Sequence, residues 1–216
     1  MYLDIKARDR IGAAVLIAWN SAALIGLAIK LARTLPNAGY AGPFLQCLSL
    51  GASAAFFVLQ IYFLAVRSPS IARAAGAVPR ACALLGAHLP VVIVLLPTGN
   101  SEGLRLASAL VTMAGTAGSL YALMHLGKSF SVFPQARKLV TSGPYKFIRH
   151  PLYLFGELSV LGIALGYVQP WALLLAALSF LAQIPRMIFE EEILAETFDD
   201  YFAYAARTSR LIPGLY

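Results

Sequence analysis

The chain of 216 residues carries a net charge of +7, with 59% hydrophobic and only 12% charged residues and a mean hydropathy of +0.73. A soluble domain has about 25% charged residues, so the composition excludes an ordinary soluble protein and marks a single integral-membrane domain. The surplus of Lys and Arg then reads as loop bias, with no nucleic-acid partner implied.

Six stretches approach the roughly 20 apolar residues that a membrane crossing needs: Ile11–Ile29, Phe44–Val66, Ala81–Leu96, Leu104–Leu126, Leu152–Val168 and Trp171–Phe189. The first follows basic residues, as a signal peptide would, but it is longer than an h-region and no small-x-small cleavage site follows. It reads as a retained helix. The third and fifth are short, and Pro90 is expected to kink the third. With all six crossing and the N-terminus inside, fourteen of the 17 Lys and Arg fall on the cytoplasmic side. Only Lys30, Arg33 and Arg105 fall outside, so both termini are expected to be cytoplasmic. Cys47 and Cys82 sit in apolar runs without metal or redox spacing, and no metal site is expected.

Residues 1–126 supply the first four spans and residues 127–216 the part that carries chemistry. Leu126 to Tyr153 is a cationic island with Lys128, Arg137, Lys138, Lys146 and Arg149 and no carboxylate. Pro134, Ser142-Gly143-Pro144 and Pro151 supply turns, and Pro151 suits the first turn of a new helix. The fifth and sixth spans are joined by a tight turn at Gln169-Pro170, and Gly162 and Gly166 form a small-xxx-small face. From Glu190 the chain turns acidic, with Glu191, Glu192, Glu196, Asp199 and Asp200 interleaved with apolar residues. That pattern predicts a cytoplasmic amphipathic helix folded against the membrane-proximal core, closed by Arg210-Leu211-Ile212-Pro213.

Ionisable residues at membrane depth are functional candidates. His150, Tyr153 and Glu157 share one helix face; they form either a cap with a structural carboxylate or part of a site. Arg186 either pairs with Glu190 four residues on or faces a substrate. His88 reads as a packing histidine, and His125 is open to either reading. No dinucleotide fingerprint, P-loop, nucleophile elbow or zincin motif is present, so any cofactor would occupy a pocket between helices.

Leu139-Val140-Thr141-Ser142-Gly143-Pro144-Tyr145, Arg149-His150-Pro151-Leu152-Tyr153, and Glu190-Glu191 with Leu194 and Phe198 together resemble the isoprenylcysteine carboxyl methyltransferase family. That family lies within a wider group of integral-membrane methyltransferases that includes the phospholipid N-methyltransferases. The resemblance covers about residues 126–213, with one departure: Phe198, Tyr201 and Tyr204 give FxxYxxY where the family often has FGxxYxxY. It implies an all-α, polytopic enzyme that binds S-adenosylmethionine on the cytoplasmic side and methylates a lipophilic or lipid-anchored acceptor among membrane lipids. It further implies that Leu139, Val140, Tyr145, His150, Tyr153 and Glu191 line the cofactor site, and that Arg186 and Glu190 serve the acceptor.

Methyl transfer from a sulfonium needs alignment more than acid–base chemistry, and aromatic faces such as Tyr145 and Tyr153 suit the positive sulfur. A carboxylate acceptor needs no general base and suits Arg186, whereas an amine would need Glu190 or Glu157 to take a proton. The rival readings are a phospholipid N-methyltransferase, a nicotinamide-dependent membrane reductase, and a non-catalytic scaffold whose basic loop only touches lipid headgroups.

Overall fold

A computed structural model describes residues 2–96, 102–167 and 169–214. The fold is all-α: α1 (Tyr2–Thr34), α2 (Ala41–Val66), α3 (Val78–His88), α4 (Glu102–Leu126), α5 (Pro151–Tyr167), α6 (Pro170–Thr197) and α7 (Tyr201–Ala205). One small antiparallel ladder joins β1 (Ala72–Arg73) to β2 (Gln135–Ala136). Four helices, α1, α2, α4 and α6, are long and apolar enough to cross a membrane, and the shorter apolar helices correspond to the expected third and fifth spans. Val168, the expected end of the fifth, lies outside the described residues.

Local chemistry sets the boundaries. Gly127, in the left-handed region at φ +52°, stops α4, and Pro151 starts α5 as expected. Pro90 does more than kink the third span: α3 ends at His88 and the chain continues as a 3₁₀ helix through Leu95. Proline removes the N–H that the next α turn would use, and the tighter winding absorbs that loss.

A second departure concerns the acidic segment. No new amphipathic helix begins at Glu190; α6 runs unbroken from Pro170 to Thr197 with Pro185 inside it. Its 28 residues span about 42 Å, against about 30 Å of hydrocarbon, so its last turns carry the glutamates beyond the apolar layer. Only α7, five residues long, is a separate C-terminal helix.

The tightest packing joins α4 to α5. A Cβ on Gly162 would collide with the backbone of Thr112, one on Gly166 with Ser108, and one on Gly115 with the Ser159 backbone. The small-residue face of α5 thus serves α4, whose own Gly115 and Gly118 complete the seam. Leu16, Leu64, Leu123, Phe130 and Val132 form one core that draws α1, α2 and α4 onto the start of the basic loop. Ile93, Ala164, Tyr167, Ala172 and Ala176 form a second at the opposite end of α5. Large apolar side chains such as Ile11, Val15, Ile25 and Leu181 face outward, as lipid contact requires.

Candidate functional site

The basic island folds into an irregular loop clamped from two sides. On one side the β1–β2 ladder ties it to the segment after α2, together with Ser68 N–H donating to the Lys128 carbonyl at 2.9 Å. Arg137, buried to 5% exposure, donates to the Ser68 carbonyl and to Gln135 Oε1. On the other side the C-terminal tail straps over it. Arg149 N–H donates to the Ser209 carbonyl at 2.8 Å and His150 N–H to the Arg210 carbonyl at 3.1 Å, while Tyr204 hydroxyl donates to the Tyr145 carbonyl at 2.8 Å. At the turn, Gly143 sits at φ +60° against the His125 ring, where a side chain would clash. His125 is thus occupied with packing, and its Nδ1 lies 2.9 Å from the Tyr121 carbonyl.

Between loop, α5, α6 and tail lies a cleft with about 790 Å³ of empty space, open on one side to solvent. The structure brings every expected site residue to its wall: Leu139, Val140 and Tyr145 from the loop, His150 and Tyr153 around the start of α5, and Arg186, Glu190 and Glu191 from α6. Glu157 does not reach it. Its Oε1 accepts from Gln183 Nε2 at 3.2 Å and from Ser179 hydroxyl at 3.3 Å, deeper between α5 and α6. Gln183 Oε1 in turn accepts from Arg186 Nη1 at 3.0 Å, so Glu157 connects to the cleft only through a relay.

Two carboxylates that are adjacent in sequence divide the wall between them. Glu191 is a structural knot: Oε1 accepts from Arg149 Nε and Arg210 Nε, each at 2.9 Å, and lies 3.0 Å from His150 Nε2. Its Oε2 accepts from Arg210 Nη2 at 2.8 Å. Glu190 looks the other way, accepting a hydrogen bond from Tyr153 hydroxyl and lying 3.6 Å from Arg186 Nε. The Arg186–Glu190 pair expected from their spacing is therefore present, yet 3.6 Å is too long for a hydrogen bond. Arg186 Nε remains buried without a hydrogen-bond partner among the described residues.

The aromatic surface differs from the sequence expectation. The Arg186 guanidinium covers one face of Tyr153 at 4.7 Å from the ring centre, and His150 packs edge-on against the same ring at 5.2 Å. Tyr145 and Phe133 are left as the aromatic residues that the loop contributes to the wall. Burial, with the Glu190 charge second, pushes the Tyr145 hydroxyl up, and burial pushes Tyr204 up to about 12, so both tyrosines stay protonated at neutral pH.

Three residues at or beside the cleft were not among the expected site residues, and two of them, Arg149 and Tyr201, line it. Tyr201 from α7 lines the cleft with a buried hydroxyl that has no hydrogen-bond partner. Arg149 and Arg210 fix the tail to α6. The signal for Tyr201 was its place in FxxYxxY; a charge count carried none for the arginines.

Residues 104–201 match the phospholipid methyltransferase family. The match covers less than half of the chain but contains all eight expected site residues. It reaches the wider group named above, without singling out the isoprenylcysteine branch. Among curated proteins, the nickel-cobalt-cadmium resistance protein NccN of Alcaligenes xylosoxydans xylosoxydans is 29% identical over 134 residues, 58% of this chain and 61% of its own length. The cobalt-zinc-cadmium resistance protein CzcN of Cupriavidus metallidurans is 38% identical over 78 residues, 36% of each chain. The chain thus spans less than two thirds of either relative.

Proposed function

We propose that the cleft binds S-adenosylmethionine and that the protein methylates an oxygen of a lipophilic acceptor, a carboxylate in the first instance, reached from within the bilayer. The observation that carries this reading is Arg186: buried, stacked on Tyr153, and ion-paired with Glu190 at a distance that leaves its Nε without a hydrogen bond. Loop charge, fourteen cations against three, supports a cytoplasmic cleft with both termini on that side.

The donor set suits the cofactor. Tyr201 offers an unpartnered hydroxyl for a ribose or amino-acid group, Tyr145 an aromatic wall, and Leu139 and Val140 an apolar one. When bound, the cofactor supplies an electrophilic methyl on sulfur that passes in line to a nucleophile. The chain's own contribution is alignment. Arg186 would hold the acceptor carboxylate by a charge-assisted hydrogen bond. Glu190 keeps the guanidinium in place from one side and Gln183 from another. Glu191 holds Arg149, His150 and the tail, so the cleft keeps its shape when empty.

The family match favours a second reading, a phospholipid amine as acceptor. Glu190 would then face the nitrogen and receive its proton, and Arg186 would have to swing clear. Any part in metal tolerance, which both relatives' names carry, would on either reading run through the methylated product.

The deciding experiment is thermal unfolding of the detergent-purified protein with S-adenosylmethionine, S-adenosylhomocysteine or NADPH. A ligand at 100 times its Kd adds about 2.7 kcal/mol. Stabilisation by the first two alone is expected. Stabilisation by NADPH alone would replace the reading with a reductase, and no shift at all would leave a scaffold. Mixed membrane-lipid extracts then separate carboxylate from amine acceptors by the base lability of the methyl label, since esters hydrolyse and methylamines do not.

A further inference from the structure

We propose that a second cleft, behind the wall formed by Phe133 and Gln135, binds the phosphodiester headgroup of an anionic membrane lipid whose acyl chains lie along α1 and α3. The cleft has about 830 Å³ of empty space, much of it open, and shares Phe133 and Gln135 with the first cleft, so both open at the same end of the molecule. This site does not depend on the methyltransferase reading.

Charge points to the headgroup. Arg73 and Arg80 both line the cleft, neither has an ion-pair partner among the described residues, and no described carboxylate reaches the wall. Arg73 is half-buried and held in register opposite Gln135 by the β ladder, so its guanidinium starts from a fixed backbone. Arg80 lies in the first turn of α3, which has no acidic residue and no side-chain cap; the positive end of that helix adds to the field. Two guanidinium groups with no described carboxylate beside them suit an anionic group such as a phosphate, and not a neutral one.

Apolar surface points to a lipid as the source of that phosphate. Ile11 lines the cleft, and Ile11, Val15 and Trp19 follow one another at four-residue steps along α1, all exposed. Val78 and Leu85 lie two turns apart on α3 and are exposed as well. The two helices meet where Trp19 packs edge-on against His88 at 5.1 Å. A lipid seated with its phosphate between the arginines would have apolar side chains of both helices beside its tails. A soluble phosphate would use only the arginines.

The test is thermal unfolding of the full chain in a neutral detergent, with phosphatidylglycerol, phosphatidylcholine, inorganic phosphate or glycerophosphoglycerol added. Phosphatidylglycerol is expected to raise the Tm of the wild type. The Arg73→Gln/Arg80→Gln variant should need at least tenfold more lipid for half the effect, and the other three additives should do little. Should the double variant melt lower without lipid, Arg80→Gln alone, on the exposed face of α3, is compared at matched shifts. Equal lipid dependence in wild type and variant would overturn the proposal. So would no effect of phosphatidylglycerol, or an equal effect of the water-soluble phosphates.

Discussion

The two ends of the chain are held together by different forces. Around the cleft, α5, α6, α7 and the tail are joined by directional polar contacts: two arginines and a histidine on Glu191, a tyrosine on Glu190, and backbone bonds from the tail to Arg149 and His150. By contrast, α1 and α2 meet through apolar packing, with one side-chain hydrogen bond between them among the described residues, Asn20 to Gln60 at 3.1 Å. Only 17% of the apolar window of either helix is buried, against 39% for α4. A site for a small molecule needs fixed geometry, which polar knots supply. A wall facing lipid needs only the right length and surface.

The contrast breaks hardest at Glu191. Replacing it by Ala takes the shared carboxylate from Arg149 and Arg210, both largely buried. Removing one partner of a buried pair costs about 3–5 kcal/mol, and the partial exposure here puts the expectation at the lower end, about 3 kcal/mol. A fall in Tm with increased proteolysis of the tail beyond Thr197 would report it. An unchanged melt would mean the knot is not what holds the tail.

The next largest effect tests close approach. Gly162→Leu forces a side chain into the Thr112 backbone, and overpacking of this kind costs typically about 1–3 kcal/mol. Gly156, with open space where its Cβ would be, is the control on the same helix. The Leu substitution there should leave the melt close to wild type, and equal losses at both positions would refute the close seam.

Much of this division is legible in the sequence, and the reason is physical. Burial in lipid leaves polar residues few excuses, so His150, Tyr153, Arg186 and Glu190 stand out against an apolar background and do meet at one cleft. The sequence places the tail against the core but not its register over the loop, because the contacts of Phe147 and Arg149 with Ser209 are between backbones, which carry no residue signature. The continuity of α6 was missed for another cause: Pro185 and a switch from apolar to acidic residues look like a break, whereas the helix simply leaves the membrane. Glu157 shared a helical face with the site residues, but α6 captures it with Ser179 and Gln183 before it reaches the cleft.

A smaller effect sharpens the cleft itself. Tyr201→Phe removes the buried hydroxyl that has no hydrogen-bond partner in the protein, so stability should hold or rise slightly. Loss of one ligand hydrogen bond, about 0.5–1.5 kcal/mol, should weaken S-adenosylhomocysteine binding between about twofold and tenfold by calorimetry. Unchanged affinity would remove Tyr201 from the ligand's contacts while leaving the rest of the wall in place.

The smallest effect belongs to the other end of the molecule. Asn20→Val deletes the side-chain bond from α1 to Gln60. Such bonds between membrane helices average about 0.6 kcal/mol, because the separated helices find other partners. The Tm should fall by a degree or two and S-adenosylhomocysteine affinity should not move. A loss comparable to that of Glu191→Ala would mean that α1 and α2 are held by polar contacts after all, and that the wall shares the rigidity of the site. A small loss leaves α1 free to shift against the Phe130 and Val132 end of the loop, and that freedom is what the proposed entry of an acceptor from the bilayer would use.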